Sequence, residues 1–374
     1  MGYKILVLGG YGLFGSLIVK NLLPESNLEL IIAGRNLSSA KQFIEDIKDQ
    51  ANCKLTPLAI DATHQELSQK LNKLNLDLVI HTCGPYQHQD YYVAKACIHA
   101  GIHYIDLADG REFVSNIHEL DSLAKENHCL VISGASSVPG LSSAVAAEYL
   151  PEFSVVDEFI SYILPGNQTP RGLATIQSIL SYVGKPFRVW KKNKWQTVYG
   201  WQDLERVELK GLGKRWSGNC DVPDLQLFPK FYPKIKTIRF QAGLELPVLQ
   251  LGTWLLSWLS RIGLVKNWSH YAKQLKTMSE WLYRFGTDKG GMRVDIKGED
   301  LEGNLLNINW QLIVLDGKGP IIPTIAATLL AKKLSKDEIK ITGAKPCINL
   351  FSLNEFKETI NILNFSNSVY YHEI

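Results

Sequence analysis

Tryptophan is missing from the first 189 residues of this 374-residue chain; all nine lie between Trp190 and Trp310. Together with the length, that shift in composition implies two domains with different cores. CxxC pairs and Cys/His clusters at metal-ligand spacing are also missing. The six cysteines (Cys53, Cys83, Cys97, Cys129, Cys220 and Cys347) therefore read as free, mostly buried thiols of a reducing compartment. No Lys/Arg run is long enough for a nucleic-acid footprint, and the net charge is only +3, so no nucleic-acid partner is expected. No apolar signal region follows Met1, which makes cytoplasmic placement the expectation. There is no Ser-His-Asp order, no HExxH and no pair of metal carboxylates. Hydrolytic and metal-dependent mechanisms thus find no positive support, and no metal site is expected. No repeat or low-complexity tract is visible, and 45% hydrophobic with 21% charged residues is an ordinary globular balance.

What is present in the first 135 residues is an alternation of short apolar strands with segments of helical period. Strands are predicted at Lys4 to Leu8, Leu28 to Ala33, Lys54 to Ile60, Leu76 to Thr82, His103 to Leu107 and Cys129 to Ser133. Helices are predicted between them at Phe14 to Leu23, Ser38 to Asp49, Gln65 to Lys73, Tyr91 to Ala100 and Val114 to Asn127. Six strands with five crossovers make an α/β, doubly wound parallel sheet. Beyond it, Val155 to Ile163, Met292 to Ile296 and Leu305 to Val314 read as antiparallel strands, with a helix at Leu173 to Tyr182, so the second domain is α+β. The expected domains are 1–135, 136–320 and a C-terminal segment 321–374.

The chemistry is concentrated in GGYGLFG, Gly9 to Gly15, which follows the first strand and opens the first helix. A dinucleotide pyrophosphate is an anion, and a helix N-terminus offers it free N–H groups and the positive end of a dipole. Gly10 serves the tight turn, Gly12 the backbone approach to phosphate and Gly15 the close packing of helix on strand, the signature of a Rossmann domain. Gly10, Tyr11, Gly12, Leu13, Phe14 and Gly15 are thus the candidate phosphate loop. At the end of the second strand an NAD enzyme carries an acid for the ribose 2′-OH; here stand Ala33, Gly34, Arg35 and Asn36. Arg35 can hold a 2′-phosphate by charge-assisted hydrogen bonds, which favours NADP. Asp61 is placed either to accept from the adenine amino group or to cap the next helix. Cys83, Gly84 and Pro85 follow the fourth strand at the carboxyl edge of the sheet, where the ligand crevice lies. Tyr86, His88, His103, Asp106, Asp109 and Arg111 sit at or near the same edge. Of these, Tyr86 and Asp109 are candidates for proton relay or substrate polarisation, and Arg111 for a substrate carboxylate. Asp106 as a helix cap, His103 as a hydrogen-bonded core residue and Arg111 as a surface ion pair are the alternatives.

With GGYGLFG, AGR, HTCGPYQ, ACIHAGIHYIDLADG and SGASSVPGLSSAVAAEYL in that order, the first 150 residues resemble the saccharopine dehydrogenase family in its NADP-binding domain. PGNQTPRGLAT, CDVPDLQLFP, FQAGLEL and FGTDKGGM resemble a bacterial saccharopine dehydrogenase-like subgroup. The resemblance implies a Rossmann domain followed by an α+β domain, with C-terminal helices returning to the first at GPIIPTIAATLLAKKL and ITGAKPCINLFSL. It also implies an NADP-dependent oxidoreductase moving hydride to or from a C=N, C=O or C=C bond of a small-molecule substrate. Where many relatives read DLTGE this chain reads Asp106, Leu107, Ala108, Asp109 and Gly110, and the acidic, glycine-rich signature of true saccharopine reductases after Ser181 and Tyr182 is missing. Two alternatives stay open: a reductase of a lipid-like or polyketide-like molecule, and a non-catalytic NADP-binding scaffold or sensor.

Leu246 to Ser260 holds Trp254 and Trp258 and no charge, yet at 15 residues it is too short for a bilayer, which needs about 20. Several hundred Å² of exposed apolar surface, at about 25 cal/mol per Å², would leave several kcal/mol unburied. The stretch is therefore expected to be covered by the protein's own core, by a second copy in a homodimer, or by lipid in a peripheral membrane contact, in that order.

Overall fold

The computed structural model describes residues 2–64, 66–87, 89–363 and 369–373. The chain divides into two compact units, Met1–Leu141 with Ile321–Thr359, and Ser142–Pro320 with Ile360–Ile374.

The first unit is built on β1 (Tyr3–Leu8), β2 (Leu28–Gly34), β3 (Lys54–Ala59), β4 (Leu78–His81), β5 (His103–Asp106) and β6 (Leu130–Ser133). They pair in the order β6-β5-β4-β1-β2-β3, all parallel, and Gly343–Pro346 adds a seventh parallel strand beside β6. This is the doubly wound Rossmann sheet, with its order reversing between β1 and β4. The central strands are buried on both faces, which is why they read as continuous apolar runs such as Ile5 to Leu8 and Leu78 to Ile80. The predicted helix at Val114 to Asn127 is instead two, Arg111–Ser115 and Asp121–Glu126, joined by the tighter turn Ile117–Leu120. Its three-residue spacing puts Ile117 and Leu120 both into the core. The seventh strand lay inside the predicted helical return. Its Ala344 N–H is claimed by Asp121 Oδ1 at 2.9 Å, a non-local contact that no periodicity reveals.

The second unit carries a mixed sheet: β7 (Phe153–Leu164), β8 (Pro186–Lys191), β9 (Lys194–Tyr199), β10 (Glu205–Leu209), β11 (Gly213–Asn219), β12 (Ile238–Ala242), β13 (Gly290–Asp300) and β14 (Leu305–Val314). The order is β10-β11-β12-β7-β13-β14 followed by Val369–Glu373, with the β8–β9 hairpin attached through β12. Most pairs are antiparallel, as expected, but β12 runs parallel to β7. Val369–Glu373 pairs with β14 and so belongs to this sheet, within the segment 321–374 expected as C-terminal helical return and tail. Arg215 is buried in this unit. It pairs with Glu245 at 3.0 Å and donates to the carbonyls of Leu164, Pro165 and Lys289, tying the entry of the following helix to the sheet. That helix, Pro247–Arg261, is the apolar stretch singled out above. Among the described residues no helix is long and apolar enough to cross a membrane.

At the carboxyl edge of the first sheet, β4, β5 and β6 are joined by buried polar groups. Asp106 Oδ1 accepts from Ala108 N at 2.9 Å, Ser133 Oγ at 3.0 Å and Gly134 N at 2.8 Å, and His81 Nδ1 lies 2.9 Å from the Tyr104 hydroxyl. Burial pushes the Asp106 carboxyl up to about 6 and the His81 imidazole down to about 4. The two act oppositely on stability. Asp106, raised on folding, takes up a proton in the folded state as pH falls through about 6, which adds stability; His81, depressed, resists protonation below its ordinary 6.5, which removes stability down to about 4. Asp106→Asn deletes the first contribution only. Its unfolding free energy should therefore fall more steeply than wild type between about pH 6.5 and 4. Urea titrations across that range check this, and parallel slopes would contradict it.

Candidate functional site: the glycine loop and the carboxyl edge of the first sheet

The turn after β1 is pinned by backbone hydrogen bonds. Gly9 N and Gly10 N both donate to Ala33 O, at 2.9 and 3.0 Å, and Gly12 N donates to Gly9 O at 2.8 Å. Gly9, at φ +80°, takes the left-handed conformation that the turn requires, a role the sequence reading gave to Gly10. Gly10 is needed for a different reason: a Cβ there would lie 2.9 Å from Val7 O and 3.0 Å from Ile32. A Cβ on Gly15 would lie 2.1 Å from Gly9 O, so the helix Leu13–Leu22 can press on the loop only with glycine there. Gly12 differs from both. Its Cβ would meet Gly9 O alone, at 3.1 Å, and otherwise enters open space in front of a helix whose N-cap has no side-chain hydrogen bond. Free amides behind an open cradle that a side chain would fill are what a pyrophosphate requires, so this loop fits the cofactor.

Arg35 is exposed, one residue past β2 and two before the helix Leu37–Ile47. Asn36 caps that helix, its Oδ1 accepting from Ser39 N at 3.1 Å, and no acidic residue stands in the first turn. Tyr11 reaches over from the glycine loop. Its hydroxyl accepts from Asn36 N at 2.9 Å, and its ring lies where a Cβ on Gly34 would go, 2.5 Å away. Asp61 is half-buried and accepts from Thr63 N at 2.9 Å and Thr63 Oγ1 at 2.8 Å. These bonds, with a smaller contribution from Arg35, hold its carboxyl below the usual range. Burial pushes the Cys83 thiol up to about 11, and the charges of Arg35 and Asp61 both act on it. Arg35, Asp61 and Cys83, from three separate strand ends, therefore share one neighbourhood.

The loop after β4 packs on the glycine loop, since a Cβ on Gly9 would lie 2.6 Å from Thr82 Oγ1 and 3.1 Å from Cys83 Sγ. Gln89 fastens it, donating to Cys83 O at 2.9 Å and Pro85 O at 2.8 Å. Neither Gln89 nor the Asn36 cap was singled out from sequence. The cap had a signal, an Asn immediately before an apolar helical period; a glutamine bonding to carbonyls of its own loop has none. Tyr86 is buried, its hydroxyl donating to His81 O at 2.7 Å, and burial raises that hydroxyl well above its ordinary value. The structure therefore uses the Tyr86 hydroxyl to hold the loop, not to face solvent as a relay would. Asp109 is half-buried and accepts from Gln87 Nε2 at 3.1 Å, and the half-buried Arg111 begins the next helix, so the loops after β4 and β5 meet. His103 accepts from Leu130 N at 2.9 Å in the framework at the opposite end of β5, and Asp106 is the buried tie already described. His88 lies outside the described residues.

Residues 5–134 match the family model of the saccharopine dehydrogenase NADP binding domain. The curated "Lipid droplet localized protein" of Caenorhabditis elegans is 23% identical over 145 residues, 37% of this chain, and the match spans about a third (34%) of that relative's length. Among solved structures, apo saccharopine dehydrogenase (L-Glu forming) of Saccharomyces cerevisiae superposes with a TM-score of 0.67 at 13% identity, covering 100% of both chains. At that identity the likeness is one of fold.

The Cβ distances separate two glycines of the loop. Gly12→Val should abolish NADPH binding in a titration while the thermal melt stays close to wild type. Gly15→Ala should instead lower stability by about 1–3 kcal/mol, because a backbone carbonyl must move. Equal stability losses for both variants, measured by denaturant titration, would contradict the assignment of Gly12 to the ligand.

Proposed function

We propose that this chain, whose residues 5–134 match the model of the saccharopine dehydrogenase NADP binding domain, is an NADP-dependent oxidoreductase acting on a small-molecule substrate at a C=N, C=O or C=C bond. The observation that carries the cofactor choice is Arg35, exposed at the head of an uncharged helix N-terminus where an NAD enzyme would present an acid. NADP, when bound, supplies or accepts the hydride. The chain's own residues bind and orient it. The amides at the start of Leu13–Leu22 hold the pyrophosphate behind Gly12, Arg35 pairs with the 2′-phosphate, and the Cys83 to Pro85 backbone lines the carboxyl edge of the sheet. Tyr11 and Asp61 flank the adenosine side.

For the substrate, the half-buried Asp109 and Arg111 of the loop after β5 are the proposed polar groups, Asp109 to polarise or exchange a proton and Arg111 to pair with a carboxylate. Tyr86 positions the loop beneath them. A lipid-like substrate is the second reading, supported by the outward apolar helix of the second unit and by the printed name of the nematode relative.

NADPH should bind more tightly than NADH. Arg35→Ala should weaken NADPH by about 10- to 150-fold, the value of a charge-assisted bond of about 1.5–3 kcal/mol, and leave NADH unchanged. Calorimetric titration of both cofactors against both proteins checks this; equal affinities in the wild type would overturn the NADP assignment. Loss of reduced-cofactor absorbance on incubation with panels of imines, ketones and enoyl compounds tests the reaction class.

A further inference from the structure

The helix Pro247–Arg261 buries two polar residues and leaves an apolar face exposed. Gln250 and Ser257 are fully buried, Gln250 Oε1 accepting from Leu244 N at 2.8 Å and Ser257 Oγ accepting from Gln202 Nε2 at 3.3 Å. The opposite face carries Val248, Leu251, Leu255, Trp258 and then Ile262, spaced at three and four residues, and Leu255 is 55% and Ile262 65% exposed. The protein's own core therefore covers this stretch only in part: Leu249, Trp254, Leu256 and Leu259 are half-buried, while Val248, Leu251, Leu255 and Trp258 face away. The exposure continues beyond the helix. Leu264 (70%), Trp281 (72%) and Phe285 (69%) stand out from the segment that follows, which includes the helix Ala272–Trp281.

An apolar surface of this extent needs a cover, and charge decides between the remaining two. Between 246 and 285 the chain has five Lys/Arg (Arg261, Lys266, Lys273, Lys276 and Arg284) and one acid, Glu280. Two copies meeting through this segment would bring like charges together. An anionic lipid surface meets both demands at once, taking the apolar side chains into its acyl region and the cations at its headgroups. Tryptophan and tyrosine, amphipathic rings suited to that boundary, are frequent here: Trp258 and Trp281 with Tyr271 and Tyr283 are all exposed.

We propose that residues 247–285 form a peripheral docking surface for anionic lipid, with the outward face of Pro247–Arg261 inserted at the interface. The surface belongs to the second unit and the glycine loop to the first, so NADPH affinity serves as the folding control for the first and the thermal melt for the whole chain.

Co-flotation of the full chain with phosphatidylglycerol vesicles and with phosphatidylcholine vesicles tests this, read beside the mass in solution. The wild type should float with the anionic vesicles. Leu251→Glu with Leu255→Glu should weaken that binding more than about 100-fold at unchanged thermal melt and NADPH affinity. Lys266→Gln with Lys273→Gln, which leaves every apolar side chain in place, should weaken it about 25-fold, and provides the test if the first variant does not fold. A wild type that does not float with anionic vesicles overturns the proposal. So does a solution dimer without vesicle binding that Leu251→Glu with Leu255→Glu turns into a monomer, because the cover is then a second copy.

Discussion

The contact on which the first unit's site depends is the approach of a helix to the turn that precedes it, Gly15 against the carbonyl of Gly9. With 2.1 Å between that oxygen and the place a Cβ would take, only glycine lets the helix start so close to the end of β1. The consequence is positional. The helix N-terminus, uncapped by any side chain, opens beside the point where strand order reverses, and its amides have no competitor for an anion. Gly9 and Gly10 pin the turn to Ala33 on β2, so the phosphate loop and the strand end bearing Arg35 are one rigid piece. On the proposed function, the 2′-phosphate preference and the pyrophosphate site would be set by the same backbone.

A second layer of constraint lies beneath the substrate side. Asp106 gathers the ends of β5 and β6, and the Tyr86 hydroxyl on His81 O gathers the loop after β4. Both residues bear chemistry that in a cleft would read as catalytic, and both spend it on architecture. Their neighbours Asp109 and Arg111 are less buried, and Asp109 accepts from Gln87 across the two loops.

The sheet of the first unit was legible because parallel strands buried on both faces leave continuous apolar runs, and glycine demands leave a local signature. Six of its strands were placed within two residues at each end. The seventh, Gly343–Pro346, was not, because four residues with no period gain strand geometry only from β6 and Asp121. In the second unit the short strands β8 to β12, five to seven residues each, were not predicted, while Leu305–Val314, long and alternating, was. At the site, residue types were informative and accessibility was not: Tyr86 and Asp109 look equivalent in one dimension, but the buried Tyr86 hydroxyl donates to His81 O whereas the half-buried Asp109 accepts from Gln87. The apolar helix shows the limit most clearly. Its composition announced a surface to be covered, but only the structure shows Gln250 and Ser257 pointing in and Leu255 pointing out.

The central claim, that one rigid piece of backbone carries the phosphate loop and the 2′-phosphate site, is tested most directly by amide hydrogen exchange with and without saturating cofactor. NADPH should slow exchange at residues 11–16 and 83–84 and also at 34–37, whereas NADH should slow only the first two. Protection at 34–37 by both cofactors alike, or no protection of the glycine loop by either, would contradict the account.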